Sequence, residues 1–148
     1  MKAQRIYIVI MIFASVLFGC KKGYIVSEGQ KIFFQYDYIN YNNKFQHYGI
    51  IIDNEGNILA YNNPEKWNFP GNDNVLSSSE VEENLLFCVH TGRQIPKKEL
   101  QKYVNFIDNI SASKISSPRL KSTNIGSHIY YCFQYSETND DYKAVIIK

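Results

Sequence analysis

The chain has 148 residues and carries 16 Lys and Arg against 14 Asp and Glu, a formal net charge of +2. The surplus lies in Lys2 and Arg5; without these two, 14 basic and 14 acidic residues remain and the net charge is zero. This balance argues against a nucleic-acid partner, which would require a basic stripe or patch. The length fits one domain with its own core.

The first 20 residues have the pattern of a secretory leader. Lys2 and Arg5 precede an uncharged run at residues 6–18, IYIVIMIFASVLF. This run is shorter than the roughly 20 apolar residues that cross a bilayer as a helix. A basic start followed by a short apolar run is typical of a signal peptide.

The end of this run resembles the lipobox of a bacterial lipoprotein precursor. The matching residues are Leu17, Phe18, Gly19 and Cys20, and the bulky Phe18 departs from the small residue usual at its position. The resemblance implies cleavage before Cys20 and acylation of its sulfur and its new amino end. Two or more acyl chains would hold the protein on the lipid bilayer without a transmembrane helix.

The resemblance divides the chain into three parts. Residues 1–19 are the lipoprotein signal peptide, residues 20–30 are the lipidated cysteine and a tether, and residues 31–148 form a single domain. Lys21, rather than an aspartate, follows the cysteine. By resemblance, this implies export to the outer membrane.

Alternating residues predict strands in the first half of the domain. In residues 32–41, Ile32, Phe34, Tyr36 and Tyr38 share one face, and Gln35 and Asp37 share the other. Two more strands, residues 45–52 and 57–61, flank the turn sequence DNEG. An aspartate can close such a turn and its glycine can adopt a left-handed conformation.

Two helices and two strands are predicted to follow. Ser77 and Glu80 form a capping-box signature at the first helix, and the second helix begins near Pro96. Residues 128–136 alternate again, and residues 142–148 form a final strand. The order βββααββ predicts an α+β fold: an antiparallel sheet of about five strands with both helices packed on one face.

The loop at residues 62–74 is a candidate contact surface. It holds Trp67, the single tryptophan of the chain, and Phe69. Loops of this length are often functional or are held by their own side chains. Trp67 either packs over the sheet or, with Phe69, contacts a ligand or partner.

With Cys20 lipidated, Cys88 and Cys132 remain, and outside the cytoplasm two cysteines are candidates for a disulfide. The predicted faces oppose this pairing. Cys88 lies on the core side of its helix, whereas Cys132 lies opposite the apolar face of its strand. The alternative is two buried thiols that behave as small hydrophobic groups.

The sequence predicts no catalytic residues, no metal site and no cofactor. Cys88 and His90 would point in different directions on a helix. Cys132 and His128 would lie about 13 Å apart on a strand. The three histidines have no zinc-ligand spacing, and the DNEG turn does not fit an EF-hand calcium loop.

The stretches FFQYDYINY, YGIIIDNEGNILAYNNPEKWNFP and YKAVIIK are similar to small uncharacterised lipoproteins of the Bacteroidota. Such chains tend to continue past their last strand with another short segment. The similarity implies no particular activity. We therefore predict a binding or interaction module with a protein or glycan partner. The alternatives are an inhibitor or immunity-type lipoprotein and an exported hydrolase that acts on cell-wall or glycan material.

Overall fold

A computed structural model describes residues 26–42, 44–107, 110 and 126–147. The predicted signal peptide, Cys20 and residues 21–25 of the tether lie outside these ranges. Within them, no helix combines the length and the apolar character needed to cross a membrane. The elements are β1 (Ile32–Asn40), β2 (Gln46–Asp53), β3 (Asn57–Asn62), β4 (Val75–Ser77), α1 (Ser78–Leu86), β5 (Val89–Gln94), α2 (Lys97–Val104), β6 (Ser127–Ser136) and β7 (Asp141–Ile147).

The strands form one antiparallel sheet in the order β4-β7-β6-β1-β2-β3-β5. The α+β class is therefore confirmed, but the predicted strand count and order are wrong. The two missed strands are β4, which has only 3 residues, and β5, in which every residue is exposed. Neither strand has the alternation of buried and exposed residues that identifies a strand from sequence.

The prediction that both helices pack on one face is also wrong. Val81 of α1 belongs to one core cluster, whereas Leu100 and Val104 of α2 belong to another. The cause is the position of β5. Because β5 lies at the edge of the sheet and separates the helices in sequence, the chain leaves one face after α1 and returns on the other.

The sheet therefore has two faces, which we call the first and the second. The first face carries Asp37, Ile51 and Tyr131, and it is covered by α1 and the loop after β3. The second face carries Phe34 and Cys132, which pack beside α2. A register shift between Ile32 and Phe34 places Ile32 on the first face, so the predicted grouping of these two residues is wrong.

Local signals in the sequence set the element boundaries. The Ser77 side chain accepts a hydrogen bond from the backbone N–H of Glu80, and the Glu80 side chain accepts one from Ser77. In the β2–β3 turn, Asp53 accepts hydrogen bonds from the backbone of Glu55 and Asn57, and Gly56 has φ +88°. The predicted capping box and turn are both confirmed.

Candidate functional site

The predicted contact loop at residues 62–74 begins one residue later, because Asn62 belongs to β3. We call residues 63–74 the Trp67 loop, and it is fixed to β2 where it begins. Asn63 has φ +46°, and its backbone N–H donates to the His47 carbonyl at 2.6 Å. The backbone N–H of His47 donates in return to the Asn63 side chain at 2.8 Å. This pair of bonds places the first residue of the loop beside His47.

A second attachment ties the loop to α1. The buried Asn84 side chain accepts a hydrogen bond from the Asn68 backbone N–H at 2.8 Å and donates one to the Asn68 carbonyl at 2.8 Å. The Asn68 side chain also donates to the Glu80 carbonyl and to the Glu83 carboxylate. The sequence does not predict this attachment, because an asparagine on a helix face gives no signal of a distant backbone partner.

Trp67 packs over the sheet and is not an open contact. Its ring stacks on Tyr61 with centroids 4.0 Å apart, and it meets the His47 ring edge-on at 5.4 Å. Phe69 lies 5.1 Å from the His47 ring and remains 40% exposed. The loop therefore offers Phe69 to solvent while Trp67 covers the first face.

Beneath Trp67 lies a buried polar cluster built on Asp37. The Asp37 carboxylate accepts hydrogen bonds from the Gln35 side chain at 2.9 Å and from the Tyr61 hydroxyl. The nearest carboxylate oxygen lies 3.7 Å from His47 Nε2, and both residues are almost completely buried. Burial and, next, the Asp37 charge raise the pKa of Tyr131, so this phenol keeps its proton.

Gly49 makes room for this cluster. A Cβ at this position would collide with the Tyr36 carbonyl oxygen and with the Tyr61 hydroxyl. The absence of a side chain lets Tyr61 reach the Asp37 carboxylate across β2. The cluster is thus a close-packed part of the core, and a substrate would have to displace Trp67 to reach it.

The two remaining cysteines are free thiols on different faces of the sheet. Cys88 packs against the first-face cluster, and Cys132 belongs to the second-face cluster. The candidate disulfide between them is therefore not formed. Burial raises the pKa of Cys88 to about 11 and also raises that of Cys132. Because the thiolate is the reactive form, these environments suit structural thiols better than nucleophiles.

The potential metal ligands of the described residues are scattered over the fold. Among these residues, no three His, Cys, Asp or Glu side chains group closely enough to hold an ion. His47 lies among aromatic rings, and the ring of His128 contacts Tyr36 and Tyr38.

A group of partly exposed aromatic residues lies on the second face of the part of the chain that the structure describes, beyond the residues that pack against α2. The register places Tyr36 opposite Tyr130 and Tyr38 opposite both Tyr48 and His128. We call these side chains the tyrosine face. Tyr130 is 51% exposed and Tyr48 is 42% exposed. Their strands β6, β1 and β2 are adjacent in the sheet, so the group forms one continuous surface.

The rings of the tyrosine face pack against one another. Tyr38 stacks on Tyr48 with centroids 4.8 Å apart, and Tyr36 lies 5.2 Å from Tyr130. The Tyr36 hydroxyl and His128 Nδ1 are 2.9 Å apart and share a hydrogen bond. Burial and the neighbouring phenols raise the pKa of Tyr36, so its hydroxyl stays protonated.

The described sheet positions in register with the tyrosine face, on its β3 and β5 side, carry no charge. The same register continues through Ile50, Ala60 and Val89 in one row and Asn62 in the next. None of these positions carries Asp, Glu, Lys or Arg. Alternation within β6 did separate His128 and Tyr130 from the apolar face, but the sequence could not show that tyrosines of three strands meet.

Comparisons with protein-family models, with curated proteins and with solved structures found no match to this chain.

Proposed function

We propose that this protein is an exported lipoprotein that acts by binding a protein partner through the tyrosine face. Acylated Cys20 would anchor it to the bilayer, with the outer membrane as its location. The observation that carries the proposal is the partly exposed aromatic surface of Tyr36, Tyr38, Tyr48, His128 and Tyr130, which holds no Asp, Glu, Lys or Arg side chain.

The composition of this surface supports a protein partner. Tyrosine is enriched and charged residues are depleted at the centres of protein interfaces. Val89 extends the surface with an aliphatic side chain that is 67% exposed. A sheet face also suits a protein, because pockets for small molecules are usually concave.

The ring arrangement favours a protein over a glycan. A sugar would need open ring faces on which to stack. Here Tyr38 and Tyr48 stack on each other, and Tyr36 packs against Tyr130. The rings therefore offer many edges and hydroxyl groups, which give adaptable contacts of the kind found in tyrosine-rich binding surfaces.

In this proposal the Trp67 loop is a secondary contact surface. Trp67 supports the fold, while Phe69 remains available at a second contact. The immunity-type or inhibitor reading is one form of the same proposal, with a toxin or hydrolase as the partner. The hydrolase reading has less support, because the Asp37–His47 pair is buried beneath Trp67.

Site-specific photocrosslinking in the source cells tests the tyrosine face. The full chain would carry a photoreactive phenylalanine derivative in place of Tyr130. We expect a defined protein adduct from this position, and we expect Tyr48→Ser in the same chain to weaken it. Tyr103 provides the matched control, because it is a similarly exposed tyrosine, 48% accessible, on α2.

The two positions separate the outcomes. An adduct from position 130 but not from position 103 supports the proposal. Equal adducts from both positions would show that the tyrosine face has no special role. No adduct from either position, with the protein present in the membrane, would contradict a protein-binding function.

The anchor is tested separately with Cys20→Ser. We expect the wild-type chain to fractionate with membranes and to carry the mass of its acyl groups. The variant should lose both properties, since one modified residue supplies the attachment. A Cys20→Ser chain that still fractionates with membranes contradicts the anchor.

A further inference from the structure

Three buried polar atoms on the first face have no hydrogen-bond partner among the described residues. They are Asp37 Oδ2, His47 Nε2 and Trp67 Nε1. Such atoms are rare in folded proteins, because each gives up its bonds to water without replacement. All three belong to residues of one contact group, in which His47 touches both Asp37 and Trp67.

The interaction between His47 and Asp37 depends on whether the imidazole of His47 is charged. His47 Nε2 lies 3.7 Å from Asp37 Oδ1, which already accepts bonds from Gln35 and Tyr61. This separation is too long for a hydrogen bond, but it is within the reach of an ion pair. A protonated imidazole would place a positive N–H beside the carboxylate, so that Nε2, one of the unpartnered atoms, would gain an ionic partner in Asp37 Oδ1.

The chain connects this pair directly to the Trp67 loop. The His47 backbone makes both hydrogen bonds to Asn63, and its ring contacts Trp67 and Phe69. A shift of the His47 ring would therefore change the packing of Trp67 and Phe69, which lie against it.

Few titratable groups face the pair from the described elements around it. Asp37 comes from β1, Tyr61 from β3, and Tyr131 from β6, where it faces Asp37. In the loop itself, the side chains of Glu65 and Lys66 are exposed to solvent. The Asp37 carboxylate is thus the charge that a protonated His47 would meet.

We propose that protonation of His47 locks the Trp67 loop against the sheet and that loss of this proton loosens the loop. The lock therefore holds while the imidazole carries its proton, and it is lost as rising pH removes that proton. The exposure of Phe69, the second contact, then depends on pH.

Acrylamide quenching of tryptophan fluorescence tests this directly. Trp67 is the single tryptophan, so the emission of the full chain in detergent reports on this site alone. Acrylamide is uncharged, so its approach is insensitive to the changing charge of the protein. We expect the quenching constant to be at least about two-fold larger at pH 8 than at pH 5, because a loosened loop opens more often.

Two histidine variants provide the comparison. His47→Gln should remove the pH dependence of quenching, while His128→Gln should keep it, since His128 lies on the second face. If His47→Gln does not fold, the wild-type titration still decides the question. A wild-type quenching constant that stays the same from pH 5 to pH 8 contradicts the lock.

Two other outcomes also overturn the proposal. Emission could change with pH while quenching does not, which would mean that His47 titrates without moving the loop. Quenching could also keep its pH dependence in His47→Gln, which would assign the effect to another group.

Discussion

Neighbouring residues of β1 and β2 build two very different surfaces. On the first face, Asp37 and His47 lie beneath Trp67 and are almost completely buried. On the second face, Tyr36 and Tyr48 join a group of rings that remains partly open to water. Each surface combines a histidine with aromatic rings, so residue type does not separate them. The difference lies in which elements cover each face.

The two faces differ in the free-energy cost of placing a polar group there. Beneath the Trp67 loop, a polar atom must find its partner within the protein, and several do not. On the tyrosine face, water supplies the missing bonds, so hydroxyl groups can be presented without penalty. The first face should therefore be sensitive to substitution, and the second should tolerate it.

The largest expected effect is that of Asp37→Ala. It removes the acceptor of the Gln35 and Tyr61 hydrogen bonds and the partner of His47. We expect the free energy of unfolding to fall by about 3–5 kcal/mol, the usual cost of removing one member of a buried polar pair. Urea denaturation followed by circular dichroism measures this loss.

Glu82→Ala is the matched control, because it also removes a carboxylate. Its ion pair with Lys31 is solvent-exposed, with Glu82 57% accessible. We expect a loss below about 1 kcal/mol. Equal losses in the two variants would mean that the Asp37 cluster is not a buried part of the fold.

A smaller effect is expected from Trp67→Ala. The half-buried indole stacks on Tyr61, and its removal should lower the free energy of unfolding by about 2–3 kcal/mol. Trp67→Phe keeps an aromatic ring and removes an N–H that has no partner, so its loss should be below about 1 kcal/mol. If both variants lost the same amount, the indole N–H would have a partner in the folded protein.

The smallest effect is expected from Tyr130→Ser on the tyrosine face. Tyr130 is 51% exposed, so the free energy of unfolding should change by no more than about 0.5–1 kcal/mol. The adjacent Tyr131→Ser should cost several times more, because Tyr131 is 4% exposed. A large loss from Tyr130→Ser would show that the face is covered in the folded protein.

Local signals made much of the fold predictable. Alternation identified β1 and β6, the DNEG turn identified β2 and β3, and capping residues identified the start of α1. The path of the chain was not predictable, because β5 is held by its position beside β3 and not by a buried face of its own. When β5 is left out, the order βββααββ predicts both helices on one side of the sheet.

The site was less predictable than the fold. Alternation places Asp37 on the polar face of its strand, which is normally exposed to solvent. Only its contacts with Gln35, Tyr61 and His47 explain its burial. Packing over the sheet is one of the two alternatives that the sequence leaves open for Trp67, and the structure shows it, but the His47 ring beneath Trp67 gives no local signal. Such contacts join residues far apart in sequence, so periodicity cannot reveal them.

The central claim is that the tyrosine face is open in the isolated protein and covered by a partner in the membrane. Tyrosine nitration read by mass spectrometry measures this directly, with the purified full chain compared to native membranes. We predict that Tyr48 and Tyr130 react as readily as the control Tyr103 when purified, and that only the first two become protected in membranes. Protection of Tyr48 and Tyr130 in the purified chain, or equal reaction in both samples, would contradict the claim.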